Sequence, residues 1–458
     1  MSMHPFTLSE IAASCGGRLV SPPECADMPI TGVVRDSRQV RPGNLFLCIK
    51  GAVHDGHDFA ENAYKLGALC CLCERPLDTD KPYIIVSSVP DALRYIAKRY
   101  REKLDIPIVG IVGSVGKTTA KEMTAAVLAR KYSVLKTPEN LNNELGVPLT
   151  VLSIGKEHTA AVVEMGISDF GEMSRLAEIV RPNICVITVI GYCHLENLGD
   201  LNGVMRAKGE VFDYMPRDGY AILNGDDDIL KAYDPKINKI TFGLSSDCDF
   251  VGSDIENLAF DGVSCRITHD GGDFSAHING FGAITVPAAL AACAVGKILS
   301  MDDSDIALGI SDYRTISGRA NVSDTGHITV IDDCYNANPN SVRASLDSLS
   351  AVSGRTVAVL GDMLELGQST AELHFGVGKY GAEKGIDVLV SCGELGKHIY
   401  DGFVSVSEGK GSYYFPDKSE FIEKLGDIVK KGDTVLVKAS HGMHFEVIVS
   451  ELKKLGAR

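Results

Sequence analysis

The 458-residue chain lacks any apolar run of the roughly eighteen residues that a bilayer-spanning helix needs, so no transmembrane segment is expected. It lacks a basic segment leading into an apolar stretch at its start: MSMHPFTLSEIAAS does not read as a secretion leader, and a cytoplasmic location is expected. It also lacks a basic excess. Lys+Arg number 45 against 60 Asp+Glu, a net charge of −15. Nucleic acid and anionic membranes select the opposite sign, so neither is expected as a partner. A small phosphorylated ligand is not excluded, because it needs a local cationic pocket and no more. Repeats and low-complexity segments are missing too. What is present is ordinary globular usage, 45% hydrophobic and 23% charged, which excludes a disordered chain. At roughly 150 residues per domain the length implies about three domains.

Thirteen cysteines in a cytoplasmic chain are expected as thiols. Cys70, Cys71 and Cys73 have the look of a metal site but no second Cys/His pair nearby. They follow an Ala-Leu run in a strand-like segment and read as core thiols.

Three textures follow one another. In residues 1–103, Thr7–Cys15 and Ala92–Leu104 read as helices, and Asn44–Lys50 and Ala68–Cys73 as strands. From Ile106, apolar strands alternate with helices: IPIVGIVG, Thr159–Val163, Ile184–Ile190 and Tyr220–Leu223. That pattern implies a mostly parallel sheet covered on both faces. Residues 239–279, rich in β-branched residues, Gly and Asp, are expected as extra antiparallel strands. From Arg319, strands at His327–Ile331, Thr356–Leu360, Val388–Ser391 and Thr434–Lys438 suggest a smaller α/β domain.

The strongest local pattern is Gly113-Ser114-Val115-Gly116-Lys117-Thr118-Thr119, set between a strand and the helical stretch Thr118–Lys131. Glycines let backbone N–H groups converge on phosphate oxygens. Lys117 suits the β/γ-phosphates and the Thr118 hydroxyl suits Mg²⁺. The following helix turns its N-terminus to the anion. The general phosphate-loop pattern wants glycine at position 111, where Ile111 stands. Glu164 closes the apolar strand of VVEMG, at the sheet edge where open α/β folds bind ligands. Its oxygens suit a hard cation. Other candidates read either way. His194 in IGYCHLENLG is a metal ligand or a packing residue. Lys208 in MRAKGEVF is by itself a solvated helix lysine. Arg319 in SGR is a phosphate clamp or a hinge-region surface arginine. Asn224 and Asp226 in LNGDD approach a nucleotide or make a turn.

Together these pieces resemble the Mur ligase family, the ATP-dependent amide ligases of peptidoglycan precursor synthesis. The resemblance covers essentially the whole chain. Gly113 to Thr118 matches the family's GxxGKT, and Asn140 to Thr150 nearly matches NxNNxxGxPLT. Glu164 matches the family's magnesium ligand and His194 the histidine of ITNIGxAHLE. Lys208 falls where the family carries a lysine carbamylated by CO₂. Asp332–Ser341 (DDCYNANPNS), Gly361–Gly367 (GDMLELG) and His374 resemble one branch, as do Asp36-Ser37-Arg38, Pro42–Phe46 and Asp55-Gly56-His57. That branch adds D-alanyl-D-alanine to UDP-N-acetylmuramoyl-tripeptide. The DNPR motif of the preceding, diaminopimelate-adding branch is absent.

The resemblance implies an α/β, three-domain Mur ligase architecture. An N-terminal α/β domain (1–103) would bind the UDP precursor through Ser37, Arg38, Asp55 and His57. A central P-loop, parallel-sheet ATPase domain (104–318) would bind ATP through Gly113, Ser114, Val115, Gly116, Lys117, Thr118, Thr119 and Asn224. A C-terminal Rossmann-like α/β domain (319–458) would close over ATP and bind the dipeptide, with Arg319 on ATP phosphate. Asn140, Asn142, Asn336 and His374 are the remaining substrate candidates. Two Mg²⁺ ions would be held by Thr118, Glu164, His194 and carbamylated Lys208. Lys117, Glu164, His194, Lys208 and Arg319 would carry the chemistry, in a monomer. The chain departs from the family at Val112, usually threonine, and across Gly282–Leu290, where the histidine and asparagines of an adenine-side motif are missing. It departs again at His441, usually arginine, while Lys438 and Ser440 are retained. Competing readings are a folylpolyglutamate- or cyanophycin-type ligase, a non-catalytic regulator and a plain NTPase switch.

Overall fold

The computed structural model describes residues 3–51, 53–407 and 411–455. Three sheets follow one another along the chain. The first holds β1 (Arg18–Val20), β2 (Gly32–Val34), β3 (Asn44–Leu47), β4 (Cys70–Cys73) and β5 (Tyr83–Ile85), in the order β1-β5-β4-β3-β2. Its pairs are parallel except β1 on β5. The second holds β6 (Ile108–Val112), β7 (Val134–Lys136), β8 (Ala160–Glu164), β9 (Ile184–Ile187), β10 (Tyr220–Asn224), β11 (Asn238–Gly243), β12 (Phe250–Asn257), β13 (Val263–His269) and β14 (Gly272–Ile278). Their order is β14-β13-β12-β11-β10-β9-β6-β8-β7. The third holds β15 (Asn321–Asp324), β16 (Thr329–Asp332), β17 (Thr356–Gly361), β18 (Val388–Cys392), β19 (Ser412–Phe415) and β20 (Thr434–Lys438), ordered β15-β16-β20-β17-β18-β19. Its pairs are parallel except β15 on β16.

The expectation of antiparallel strands across residues 239–279 holds for the pairs β12–β13 and β13–β14 and is corrected for β11. β11 and β12 continue the parallel run from β10, and the sheet reverses at β13 and β14. A helical crossover, Asp228–Ala232, carries β10 to β11, whereas a tight turn joins β13 to β14. β15 (NVSD) and β19 (SYYF) lie where no strand is expected, because four mixed residues carry little periodicity.

The central sheet is covered on both faces, as parallel sheets require. Ile108, Val112, Ala161, Val163, Cys185 and Ile187 enter one core. Val109, Ile111, Ala160, Val162, Ile184 and Val186 enter the other. The first core runs on into the N-terminal sheet, taking in Phe6, Leu45, Leu72 and Leu93. The helix Val89–Arg101 is the joint. Ser88 caps it, Pro90 lies in its first turn, and its Tyr100 hydroxyl donates to the Ile154 carbonyl at 2.7 Å. Cys70 lies in that joint core, while Cys71 and Cys73 join Cys48 on the opposite face of their sheet. Burial pushes the Cys73 thiol up to about 12. Among the described residues no helix is long and apolar enough to cross a membrane.

Candidate active site

β6 stands between β8 and β9, where strand order reverses, and open α/β sheets bind ligands at the carboxyl ends of such strands. The loop after β6 is built for close approach. Gly113 has φ +146°, and a Cβ there would stand 2.0 Å from the Thr188 hydroxyl. Gly116 has φ +77° and leads into the helix Lys117–Leu128. The segment after β9 holds this loop in place. Thr188 Oγ1 donates to the Val115 carbonyl at 2.5 Å, and Ser114 N–H donates to the Val189 carbonyl at 2.9 Å. The Gly191 N–H donates to Ser114 Oγ at 3.0 Å. Thr119 hydrogen-bonds Tyr313.

Beside the loop sits a buried carboxylate. Glu164 is 1% exposed. Its Oε1 accepts from Asn142 Nδ2 at 2.8 Å and from Thr118 Oγ1 at 3.4 Å. Its Oε2 is buried with no hydrogen-bond partner. Lys121 Nζ lies 3.9 Å from that oxygen, at the limit of an ion pair. A buried carboxylate oxygen left unpaired is costly. This one fits a cation at the mouth of the phosphate loop. Among the described residues no group of three or more His, Cys, Asp or Glu is placed to hold a metal ion. The oxygen donors at the mouth, Glu164 and the Thr118 hydroxyl, fit Mg²⁺, which takes one or two carboxylates and completes its shell with phosphate and water.

Cations converge on the same spot. Lys117 Nζ donates to the Gly113 carbonyl at 2.9 Å, and burial pushes its ammonium down. Lys208 is 1% exposed, on the helix Leu201–Gly209 capped by Asp200. Among the described residues its amine has no hydrogen-bond or ion-pair partner, and burial pushes it down to about 8. Arg319, from the turn leading into β15, donates from Nη2 to Thr118 Oγ1 at 3.2 Å. Each of Lys117 and Lys208 is further disfavoured by a neighbouring cation, Arg319 and Lys117 respectively. Lys117, Lys208 and Arg319 outnumber the one buried carboxylate beside them, Glu164, and such an excess of cations makes a seat for a polyanion.

His194 caps the short helix Leu195–Leu198 in a left-handed conformation, φ +50°. Its Nδ1 meets Glu365 Oε2 of the C-terminal domain at 2.6 Å. Glu365 is itself left-handed, φ +64°. Burial lowers the His194 pKa despite that carboxylate. Asn142 thus joins the group through Glu164, whereas Asn140 is exposed and offers its side chain outward. Asn224 braces the loop: Nδ2 donates to the Thr188 carbonyl at 2.9 Å and Oδ1 accepts from Asp226 N–H at 3.0 Å.

The N-terminal candidates form a separate cluster. Arg38 is exposed and forks onto Asp36, with Nη2 2.7 Å from Oδ2. Ser37 opens the same short turn, Ser37–Gln39. His57 is buried and has both ring nitrogens engaged. Nδ1 meets Asp55 Oδ1 at 2.6 Å, and Nε2 accepts from Glu74 N–H at 2.9 Å. In the C-terminal domain Asn336 is exposed, while its neighbour Asn338 caps the helix Pro339–Ser350. His374, the remaining substrate candidate, lies in the core of that domain. It is fully buried, accepts from Met363 N–H at 2.9 Å, and meets the Thr370 carbonyl at 2.7 Å, so no ring nitrogen is free. Sequence reasoning missed Lys121 and Glu365. Lys121 looks like any helix lysine, but it is fully buried and donates to the Thr137 carbonyl at 3.0 Å. Its one-turn spacing from Lys117 was the available signal.

Three domain patterns match the chain. The Mur ligase family catalytic domain matches residues 29–140, the Mur ligase middle domain 111–296, and the Mur ligase glutamate ligase domain 318–441. The chain is also 33% identical, over 454 residues, to the UDP-N-acetylmuramoyl-tripeptide–D-alanyl-D-alanine ligase of Bacillus subtilis (strain 168), covering 97% of this chain and 98% of that one. This chain belongs to the Mur ligase family. The Escherichia coli (strain K12) ligase of the same name is 32% identical, covering 99% of this chain and 100% of its own length. Among solved structures, MurF from Acinetobacter baumannii matches with a TM-score of 0.90 at 29% identity, covering 99% and 100% of the two chains. MurF ligase from Thermotoga maritima in complex with ADP matches with a TM-score of 0.82 at 29% identity, covering 93% and 98%. The three sheets of this Mur ligase correspond to the three-domain fold of those structures.

Proposed function

We propose that this Mur ligase joins D-alanyl-D-alanine to UDP-N-acetylmuramoyl-tripeptide in the cytoplasm, as a monomer, with hydrolysis of ATP to ADP and phosphate. The observation that carries the reading is the meeting of Lys117, Glu164, Lys208 and Arg319 at the mouth of one phosphate loop. The names of its full-length relatives support the substrates. A carboxylate is a poor electrophile, so its activation as an acyl phosphate, with ADP leaving, precedes attack by the dipeptide amine. Lys117 and Arg319 offset charge on the transferring phosphoryl group. Domains over residues 1–103, 104–318 and 319–458 divide the work among UDP precursor, ATP and dipeptide. Ser37, Arg38, Asp55 and His57 belong to the first. Asn140 and Asn142 are substrate-binding residues beside the phosphate loop, Asn336 positions the amine, and His374 acts through the Met363 loop.

Mg²⁺, two ions in the full reading, would be held by Thr118, Glu164, His194 and Lys208, and supplies Lewis-acid charge on the phosphates. Lys208 takes part as a carbamate. Its buried, unpartnered amine is half free base near pH 8, so it can attack CO₂. Below that pH the free amine falls about tenfold per pH unit. In CO₂-stripped buffer, activity should fall and return on adding bicarbonate, more completely at pH 8.5 than at pH 7. A carbamate signal from ¹³C-bicarbonate should be absent in Lys208→Ala. Activity indifferent to CO₂ at both pH values would remove the carbamate.

The ligase reading is tested by phosphate release with each substrate omitted in turn. Release should require both UDP-N-acetylmuramoyl-tripeptide and D-alanyl-D-alanine, with the pentapeptide seen by mass spectrometry. ATP turnover with neither substrate would sink it in favour of an NTPase switch.

A further inference from the structure

Arg319 must reach the phosphate loop from another domain, and its long side chain has no carboxylate to hold it. Among the described residues its hydrogen-bonding partner is Thr118 Oγ1, and it forms no ion pair. What fixes its direction is an aromatic face. The guanidinium carbon lies 3.9 Å from the ring centroid of Tyr335. That distance is within the range of a cation–π contact, and a planar guanidinium stacks well on a ring. The Tyr335 ring is also 5.4 Å from the His441 ring, inclined at 35°. His441 in turn lies 6.3 Å from His444.

The backbone beneath this brace is tied at several points. Tyr335 N–H donates to the Gly318 carbonyl at 3.1 Å. Asp332 accepts from Gly318 N–H at 3.1 Å and from the Ser317 hydroxyl at 3.3 Å. Asp333 accepts from Ala320 N–H at 3.1 Å. Gly318 has φ +75°, and a Cβ there would stand 3.1 Å from Tyr335 Cβ. The turn that carries Arg319 and the residue that orients it are therefore one rigid unit at the end of β16. Among the described residues the Tyr335 hydroxyl makes no hydrogen bond, so the ring face is what Tyr335 contributes. Position 441, where this chain departs from the family's arginine, supplies an imidazole ring to that unit.

We propose that Tyr335, backed by His441, is the positioning residue that aims Arg319 at the phosphate loop. The proposal rests on the reading that Arg319 meets ATP phosphate, but its test does not need turnover. Binding of a non-hydrolysable ATP analogue with Mg²⁺ is measured by calorimetry on the full chain. Tyr335→Leu should bind about tenfold more weakly, the loss expected for one desolvated cation–π contact. Tyr335→Phe should restore wild-type binding. His441→Ala, at an exposed position, should weaken binding about threefold, consistent with losing one face of an aromatic stack. Tyr335→Leu combined with Arg319→Ala should be no worse than Arg319→Ala alone, because coupled residues do not add. Tyr335→Leu binding like wild type, Phe failing to restore, or full additivity would each overturn the brace. If Tyr335→Leu does not fold, His441→Ala decides: unchanged binding there overturns it. Wild-type binding without product formation would fault the ligase reading and leave the brace standing.

Discussion

Lys117→Met should lower kcat by about a thousandfold while leaving the fold intact. The expected size follows from removing one charged donor aimed at a transferring phosphoryl group. Lys117 is the first residue of its helix, and its ammonium touches the protein through one contact, the Gly113 carbonyl at 2.9 Å. Methionine keeps the apolar stem and loses that single bond, so the melting temperature should move by no more than about two degrees. The site holds several cations around one buried carboxylate, Glu164, which partly offsets their repulsion. Burial disfavours the ammonium, and Arg319 adds to the cost. A triphosphate relieves both effects at once, so Lys117→Met should also weaken ATP binding, by about tenfold. The larger loss in kcat marks a contact that strengthens as the phosphoryl group moves. Rapid-quench measurement of ADP formation checks it. A kcat within about tenfold of wild type would show that other groups carry the developing charge.

Much of this site was legible because its parts are local in sequence. The phosphate loop is seven contiguous residues whose glycines have a backbone reason, seen at Gly113 against Thr188. Glu164 was legible because an acidic residue closing a wholly apolar strand is costly to bury unless a cation or a donor meets it. Parallel alternation of strands and helices was legible because period and connection agree. What could not be read was contact across long sequence separations. Glu365 meets His194 only when two domains fold together, and both residues adopt left-handed backbones that no composition announces. Lys121 was hidden by its ordinary setting in KEMTAAV, since burial of a helix lysine depends on what packs over it. The burial of His374 could not be read, because a histidine holding a backbone N–H looks, in sequence, like one facing a ligand. The direction of β11 was misjudged because β-branched residues predict strands and say nothing of polarity.

Glu164→Gln should abolish most activity and yet not destabilise the protein. The carboxylate is buried, and its Oε2 has no hydrogen-bond partner. Such a group costs folding free energy, and the proposed Mg²⁺ site gives a reason to keep it. Glutamine is nearly the same shape. Its amide oxygen can still accept from Asn142 Nδ2 and Thr118 Oγ1, which now bond Oε1. The loss falls on Lys121, 3.9 Å from Oε2, but Glu122 lies closer at 3.1 Å and keeps that ammonium paired. The melting temperature in metal-free buffer should therefore be unchanged or rise by a few degrees, on the order of one kilocalorie per mole. Catalysis should go the other way. With one neutral oxygen in place of a charged one, the Mg²⁺ concentration for half-maximal rate should rise about tenfold or more, and kcat should fall by about a hundredfold at saturating Mg²⁺. Two measurements separate the cases: a metal-free thermal melt and an Mg²⁺ titration of rate. A melt several degrees lower would mean that Glu164 serves the fold through a contact beyond those described. A normal Mg²⁺ titration would mean that its unpartnered oxygen is not where the cation sits. The two results expected together, stability kept and activity lost, are what a residue retained for a ligand and not for packing must show.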